Sequence, residues 1–358
     1  MPLTLEQQVM LPRATERVYW EVHLQLLAEF MRLIGRGSEA PDLSVLLSQT
    51  TTLTHLSRRI LNDADRKAAR TILDALRVAY VSGRVDALVE LRVPMEVTSL
   101  ATRLQPLVDS VAAGVTGQRY AVLRQVNDAF RDVAVTANAG VLAGHATWQQ
   151  AVQRSLNEYA DRGITRFVDS AGRQWPLHRY AEMSVRTGVH NASREGHQTG
   201  LLDYGHDLIM ISTHGGTCRL CAPWEGKVLA ITGEVSEASR QYMDGYLDDA
   251  KSNGLYHPNC RHRGKLFIPG ETATPDPAQY GDQTYEHVAE QRRLERLVDK
   301  WTARSRVGVT EEARGKARAK IKKYRGELRV HRDAHPLPRV NRNREAYEEA
   351  LRKAGRLP

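Results

Sequence analysis

The sequence predicts a mainly α-helical protein with one small α+β region, arranged as an N-terminal helical bundle, a central α+β unit carrying a Cys/His turn, and basic C-terminal helices. Three observations lead there. Apolar residues recur at three- and four-residue spacing through the first 160 or so positions; short extended runs with turn residues between them begin only after Gly163; and a Pro/Gly/Thr-rich stretch then gives way to two highly charged helical segments. These shifts divide the chain into 1–145, 146–270, a linker at 271–284, and a basic tail at 285–358.

At 358 residues the chain is long enough for two or more domains with a real core. "Thr4-Leu-Glu-Gln7" has the capping-box form, and Leu24, Leu27, Met31 and Ile34 stripe a helix from Tyr19 to Ile34, which "GRGSEAPDLS" then breaks. A second helix is predicted over Arg66–Val81, with Ala69, Ile72, Leu73, Leu76 and Ala79 on one side. A third is predicted from Leu100 to about Val135, interrupted near Gly114 to Gly117. "Thr147-Trp-Gln-Gln150" is another capping box and opens a helix carrying Trp148, Val152, Leu156 and Tyr159. An arbitrary all-α domain fits this half as well as a contact-making bundle does.

After Gly163, "TRFVDSAGRQWPL" reads as a β-hairpin around an Asp-Ser-Ala-Gly turn. A long helix follows, ending near Gly200 or Gly205, with Tyr180, Met183, Val185 and Val189 inward; the run Leu208–Ser212 is a buried strand. Beyond the linker, helices are predicted at Tyr285–Arg304 and Glu311–Arg332, able to pair as a hairpin, with Thr310 as N-cap of the second. The last segment is predicted to start irregular and end in a short helix.

All three cysteines lie in "HGGTCRLCAPWEGKV" (His214–Val228) and "YHPNCRH" (Tyr256–His262). Zinc takes thiolate and imidazole ligands in a tetrahedron, and Cys-x-x-Cys on a tight turn presents two sulfurs at a suitable separation. Cys218, Cys221, His257 and Cys260 are therefore the candidate ligands, with His262 and His214 as alternatives for the nitrogen. Four protein ligands leave no open position for water, so the zinc would be structural rather than catalytic. Reduced, buried thiols are the plainer reading. A thioredoxin-like redox pair fits less well, because Pro223 and "WEGKVLAITG" follow where a helix would be needed.

No phosphate-binding glycine loop, His-Glu-x-x-His or Gly-x-Ser-x-Gly is present. The sharpest enzymatic alternative is a metal-dependent nuclease or toxin-like effector built on the same cysteine turn, in which His257 would have to serve as general base rather than ligand. Three cysteines argue against a secreted disulfide framework. No apolar run approaches the ~18 residues of a membrane span, and the N-terminus lacks the core of a signal peptide, so synthesis in a cytoplasm and no membrane partner are expected.

The motifs "RYAEMSVRTGVHNASREGH", "ISTHGGTCRLCAPWEGKVLAITG" and "LYHPNCRHRGKLFIPG" occur in an order that resembles the phage minor capsid protein 2 family, relatives of the Mu F-like head morphogenesis proteins. The resemblance covers about Thr147 to Gly270. It falls on Arg186 and Thr187, Cys218 and Cys221, Gly226, Lys227 and Val228, and His257, Pro258, Asn259, Cys260 and Arg261. His262 stands where the wider group often has a further cysteine. The resemblance implies a non-enzymatic minor head protein of a tailed phage, made in the host cytoplasm and placed inside the capsid near the portal in several copies. Its partners would be the portal protein, other head proteins and packaged DNA, and its role head assembly or genome packaging and delivery.

The charge distribution suits such a location. The chain carries a net +9, and residues 281–358 alone hold 21 Lys/Arg and 12 Asp/Glu, so the whole excess lies in the tail. Arg314, Lys316, Arg318, Lys320, Lys322, Lys323 and Arg325 are the candidate DNA contacts, non-specific because no base-reading motif is present. A solvated helix paired with its neighbour or with an acidic protein surface is the simpler account of such a run.

Overall fold

The computed structural model describes residues 5–34, 42–94, 101–143, 146–213, 217–258, 260, 262–273 and 283–335. Thr4, the glycine break after Ile34, most of the 271–284 linker, Asn259, Arg261 and the final segment from 336 lie outside them. Five helices come first: α1 (Leu5–Ile34), α2 (Leu43–Leu91), α3 (Ala101–Thr116), α4 (Arg119–Leu142) and α5 (Trp148–Arg162). A hairpin of β1 (Arg166–Val168) and β2 (Gln174–Pro176) leads into α6 (Leu177–Leu202). Then come β3 (Leu208–Ile211), β4 (Val228–Ala230), α7 (Glu237–Arg240), β5 (Gly245–Tyr246), α8 (Leu247–Ser252) and β6 (Gly264–Leu266), and the chain closes with α9 (Gln283–Arg306) and α10 (Glu311–Ala334).

The predicted class, mainly α with a small α+β region, is the observed one. The capping box at Thr147 forms, with its hydroxyl accepting from the Gln150 amide and the Gln150 side chain accepting from the Thr147 amide. The break between α3 and α4 falls at 117–118, and the Thr310 hydroxyl caps α10 by accepting from Ala313 N.

The largest departure is α2, which runs for 49 residues where periodicity predicted only Arg66–Val81. Its buried face, Leu46, Thr50, Leu53, Ser57, Leu61, Ala64, Ala68, Ile72 and Ala75, keeps a three-and-four spacing throughout. Thr50 and Ser57 interrupt the apolar pattern in sequence, yet each occupies its place in the stripe. Thr50 returns its hydroxyl to the Leu47 carbonyl, so a polar side chain is buried without an orphaned donor. Asp42 starts the helix by accepting from Ser44 N at 2.7 Å. In the same way α1 runs without a break from Leu5, where the capping-box form at Thr4 places a helix start, through Pro12 and on to Ile34.

One core runs from α1 to α5, along the N-terminal two thirds of α6, and on to Ala303 of α9 and Val307 just beyond it, crossing residue 145 without interruption. Phe30 and Phe130 meet edge to face at 5.3 Å inside it. Helix α6 lies against α1, α2 and α3, and its approach to α2 is close enough to require glycine. A Cβ on Gly83 would stand 1.9 Å from the Ser193 carbonyl oxygen, and one on Gly196 2.1 Å from that of Tyr80.

An ionic cluster around the buried Glu16 and Glu182 joins α1, α6 and α9. Arg179 reaches Glu16 at 2.9 Å, Glu182 at 3.4 Å and also Asp299, while Arg13 pairs with Glu16 and Arg186 with Glu182. Burial tends to raise the Glu182 pKa, but Arg186, Arg13 and Arg179 outweigh it and hold it at about 2. Burial, with Glu182 beside it, pushes Glu16 up to about 7. The folded state therefore binds more protons than the unfolded one between the ordinary carboxylate range, about 4.5, and about 7, so Glu16 should make stability fall as pH rises through that window. Glu16→Gln should remove this component from a pH series of thermal melts; a series with the same slope in both proteins would refute it.

The four-stranded sheet has the order β5-β4-β3-β6, antiparallel except for the β4–β5 pair. Strand β3 is buried on both faces. Ile209 and Ile211 join a second core with Cys221, Leu229, Leu247, Cys260 and Leu266, while Leu208 and Met210 join Val228 and Ala230 on the other side. That is why Leu208–Ile211 reads as an uninterrupted apolar run. The Glu90 carboxylate near the end of α2 accepts from Leu266 N at 2.7 Å and pairs with His197 of α6 at 3.0 Å, fastening the sheet edge to the bundle.

Helices α9 and α10 form the expected hairpin. Arg304 and Lys300 of α9 grip Asp161 of α5, and the Gln153 amide of α5 donates to the Val307 carbonyl, which ties the loop end of the hairpin to the bundle.

Candidate metal centre

The two halves of the cysteine motif reach one place by different routes. Cys218 and Cys221 sit on a turn that follows β3, closed by Cys221 N and Ala222 N donating to the Cys218 carbonyl, and a short 3-10 turn at Ala222–Trp224 continues it. Gly226 then takes a φ of 74° to bring the chain back into β4, a conformation that favours glycine. Lys227 pairs with Asp244 at 3.0 Å, and Val228 N donates to the same carboxylate. The second half follows α8, where Tyr256 adopts a left-handed φ of 63° and Cys260 N closes a turn on the His257 carbonyl.

The donor atoms gather as two triads meeting at Cys221: Cys218, Cys221 and His257 in one, Cys221, Cys260 and His262 in the other, each spanning no more than 4.8 Å. Cys218 Sγ lies 3.0 Å from His257 Nε2, Cys221 Sγ 3.5 Å from Cys260 Sγ, and Cys260 Sγ 3.4 Å from His262 Nδ1. Ligands on a tetrahedral zinc stand roughly 3.6–3.8 Å apart, as its bond lengths require. The donor types suit such an ion and each triad is compact enough to take part in holding one, but the observed separations are shorter than the tetrahedral ones, and Cys260 does not stand within 4.8 Å of both Cys218 and His257 as a fourth ligand.

All four residues chosen from the sequence, Cys218, Cys221, His257 and Cys260, are brought together with the alternative His262. His214 lies outside the described residues, as do Gly215 and Gly216. Both histidines are oriented by their second nitrogen. His257 Nδ1 donates to the Pro258 carbonyl at 2.8 Å, leaving Nε2 toward Cys218, and His262 Nε2 pairs with Glu225 at 2.7 Å, leaving Nδ1 toward Cys260. A carboxylate or carbonyl behind the imidazole is the usual support of a metal-ligating histidine. Burial pushes the Cys221 thiol well above its ordinary range, and Cys260 and Cys218 add to it. A bound dication would reverse that balance and hold the sulfurs as thiolates.

Two residues that the ligand spacing did not reveal complete the surroundings. Glu225 orients His262; Arg194 of α6 stacks over the Tyr256 ring at 4.0 Å and donates to the His262 carbonyl at 3.1 Å. Arg194 is 68 residues from His262 in the chain, so no local pattern linked them. Arg186 and Thr187 lie elsewhere, nearer the start of α6, where Arg186 pairs with Glu182 and the Thr187 hydroxyl donates to the Met183 carbonyl.

Of the candidate DNA contacts, Lys316, Arg318, Lys322, Lys323 and Arg325 are exposed on α10, whereas Arg314 and Lys320 are half-buried. Arg314 is held by Glu311 and the Gly308 carbonyl, Arg318 also reaches Glu311, Lys323 lies 3.6 Å from Glu327, and Lys320 sits over the Trp301 ring.

The family described as phage minor capsid protein 2 matches residues 6–333, nearly the whole chain, and this protein belongs to that family. A protein of Lactococcus phage LL-H described as a structural protein is 25% identical over 214 residues, and the alignment covers 56% of each chain. No solved structure matches. The chain is thus a member of a family of virion structural proteins. No helix among the described residues is long and apolar enough to cross a membrane.

Proposed function

We propose that this protein is a non-enzymatic component of a tailed-phage head, seated inside the capsid near the portal vertex, where it acts in head assembly or in genome packaging and delivery. The observation that carries this reading is the separation of charge. Residues 1–280 hold equal numbers of basic and acidic side chains, and the whole excess lies in a tail whose hairpin is tied at one end to a neutral bundle. Such a protein can dock through its bundle on the portal or on neighbouring head proteins while offering α10 to packaged DNA. The Cys/His centre, in this reading, holds a structural zinc that staples the small sheet.

Cross-linking mass spectrometry on purified virions tests the location. Cross-links between the α1–α4 region and the portal, from several copies per particle, are expected; absence of the protein from the particle would overturn the reading.

DNA contact has its own test. Non-specific binding to duplex DNA weakens with salt by a slope of about 0.9 per phosphate neutralised. Changing Lys316, Arg318, Lys322, Lys323 and Arg325 together to Gln should flatten that slope by several phosphate equivalents. The same slope in the changed protein would remove α10 from the interface.

A further inference from the structure

The tail hairpin brings three histidines together at its open end, far along the chain from the cysteines. His331 and His335 are one turn apart at the C-terminal end of α10, and His287 lies near the start of α9. The rings of His287 and His335 stack at 3.7 Å between centroids, those of His331 and His335 stand 4.9 Å apart, and those of His287 and His331 6.1 Å. We propose that His287, His331 and His335 form a second metal site, which binds a late first-row divalent transition ion through three imidazole nitrogens and clamps the mouth of the hairpin.

The spacing supports a shared ion. With metal–nitrogen bonds of about 2.0–2.1 Å, three imidazoles around one ion hold their ring centroids roughly 5 Å apart. The three observed separations bracket that value, with His287 and His335 closer than it and His287 and His331 farther apart, so the three nitrogens converge only when a bound ion draws the rings about 1 Å from where they stand. A pair of histidines four residues apart on one helix face is already half of such a site.

Local bonding prepares the ligands. His331 Nε2 lies 3.0 Å from the His287 carbonyl oxygen, which can only accept, so that nitrogen carries the proton and Nδ1 keeps its lone pair for a metal. The site is also at the C-terminal end of α10, where the last carbonyls place partial negative charge that favours a cation. Glu290 and Glu327 line the same cleft, but both Glu290 oxygens accept from Arg293 at 2.7 Å, and Glu327 pairs with Lys323 at 3.6 Å. The donor set is therefore all nitrogen, which suits zinc, nickel, cobalt or copper rather than magnesium or calcium.

The test is a cobalt(II) titration of the full chain, purified without a histidine tag and stripped of metal, followed by calorimetry and absorption. Thiolate-bound cobalt has a charge-transfer band that an all-imidazole site lacks, so the cysteine centre and the histidine site are read separately. The wild-type protein is expected to bind one equivalent that adds no thiolate band. His331→Asn combined with His335→Asn should lose that equivalent, or weaken it by at least about tenfold, with any thiolate band unchanged. Equal stoichiometry and affinity in the two proteins would overturn the proposal. If the double variant fails to fold, His287→Asn supplies the same comparison, with the same two outcomes. Failure of the cysteine centre to take metal would leave this readout intact.

Discussion

Chelation of the purified protein is expected to unfold the small sheet while the helical bundle stays folded. Cys221 and Cys260 are fully or almost fully buried members of the core that also contains Ile209, Ile211, Leu229 and Leu266. That core is small beside the one running through α1–α6, so a cross-link at its centre has a disproportionate effect. Structural zinc in small domains contributes about 10–16 kcal/mol of apparent binding free energy at neutral pH, and this appears directly as folding free energy. Hydrogen exchange after chelator treatment should show protection lost in β3, β4 and β6 but kept in α2 and α6, with a matching early transition in the thermal melt. A melt that does not move would count against zinc. His257→Ala sharpens the result, because loss of the sheet supports a staple, whereas an intact sheet with lost DNA cleavage would favour the metal-dependent nuclease.

Gly83→Ala and Gly196→Ala should each destabilise the bundle by about 3 kcal/mol, the upper part of the range for forcing extra atoms into a packed interior. The reason is specific to these positions. An added methyl at either would meet a backbone carbonyl of the opposing helix at about 2 Å, and backbone, unlike a flexible side chain, cannot turn aside. Within a helix the same replacement ordinarily stabilises, by up to about 1 kcal/mol. Gly315 of α10 is the matched control, since nothing lies within 4 Å of a Cβ built there. Gly315→Ala should leave the melting temperature equal or higher while Gly83→Ala and Gly196→Ala lower it by many degrees. Similar melting temperatures for all three variants would mean that α2 and α6 do not cross so closely.

The two helices of that crossing show how unevenly a fold is written along a chain. The α5 capping box needs only Thr147 and Gln150, three residues apart, and is visible at sight. The 49 residues of α2 were legible only where alanine, isoleucine and leucine crowd together, because Thr50 and Ser57 look like solvent-facing residues until the packing that buries them is known. Gly200 read only as a place for α6 to end, whereas a Cβ there would stand 2.7 Å from that of Ala87, so it belongs to the same close crossing as Gly196. The cluster of Arg13, Glu16, Arg179, Glu182 and Asp299 left no trace in local pattern, since its members come from three separate helices.

For the metal centre the division is similar. Thiols are rare here and chemically distinctive, so three cysteines and a His-x-x-Cys marked a candidate donor set without any structure. Which imidazoles accompany them depended on where α8 and β6 deliver the second turn, and the answer brings His262, backed by Glu225, beside His257 rather than in place of it. What the sequence determined by itself was therefore the helical class, the family and the confinement of positive charge to the tail, together with the candidate donor residues, all carried by short spacings or by composition. The tertiary structure decided how far the helices run, how closely α2 meets α6, and which distant side chains orient the ligands or gather at the mouth of the hairpin. Those outcomes turn on contacts between residues tens of positions apart, whose free energy exists only once the core has closed around them.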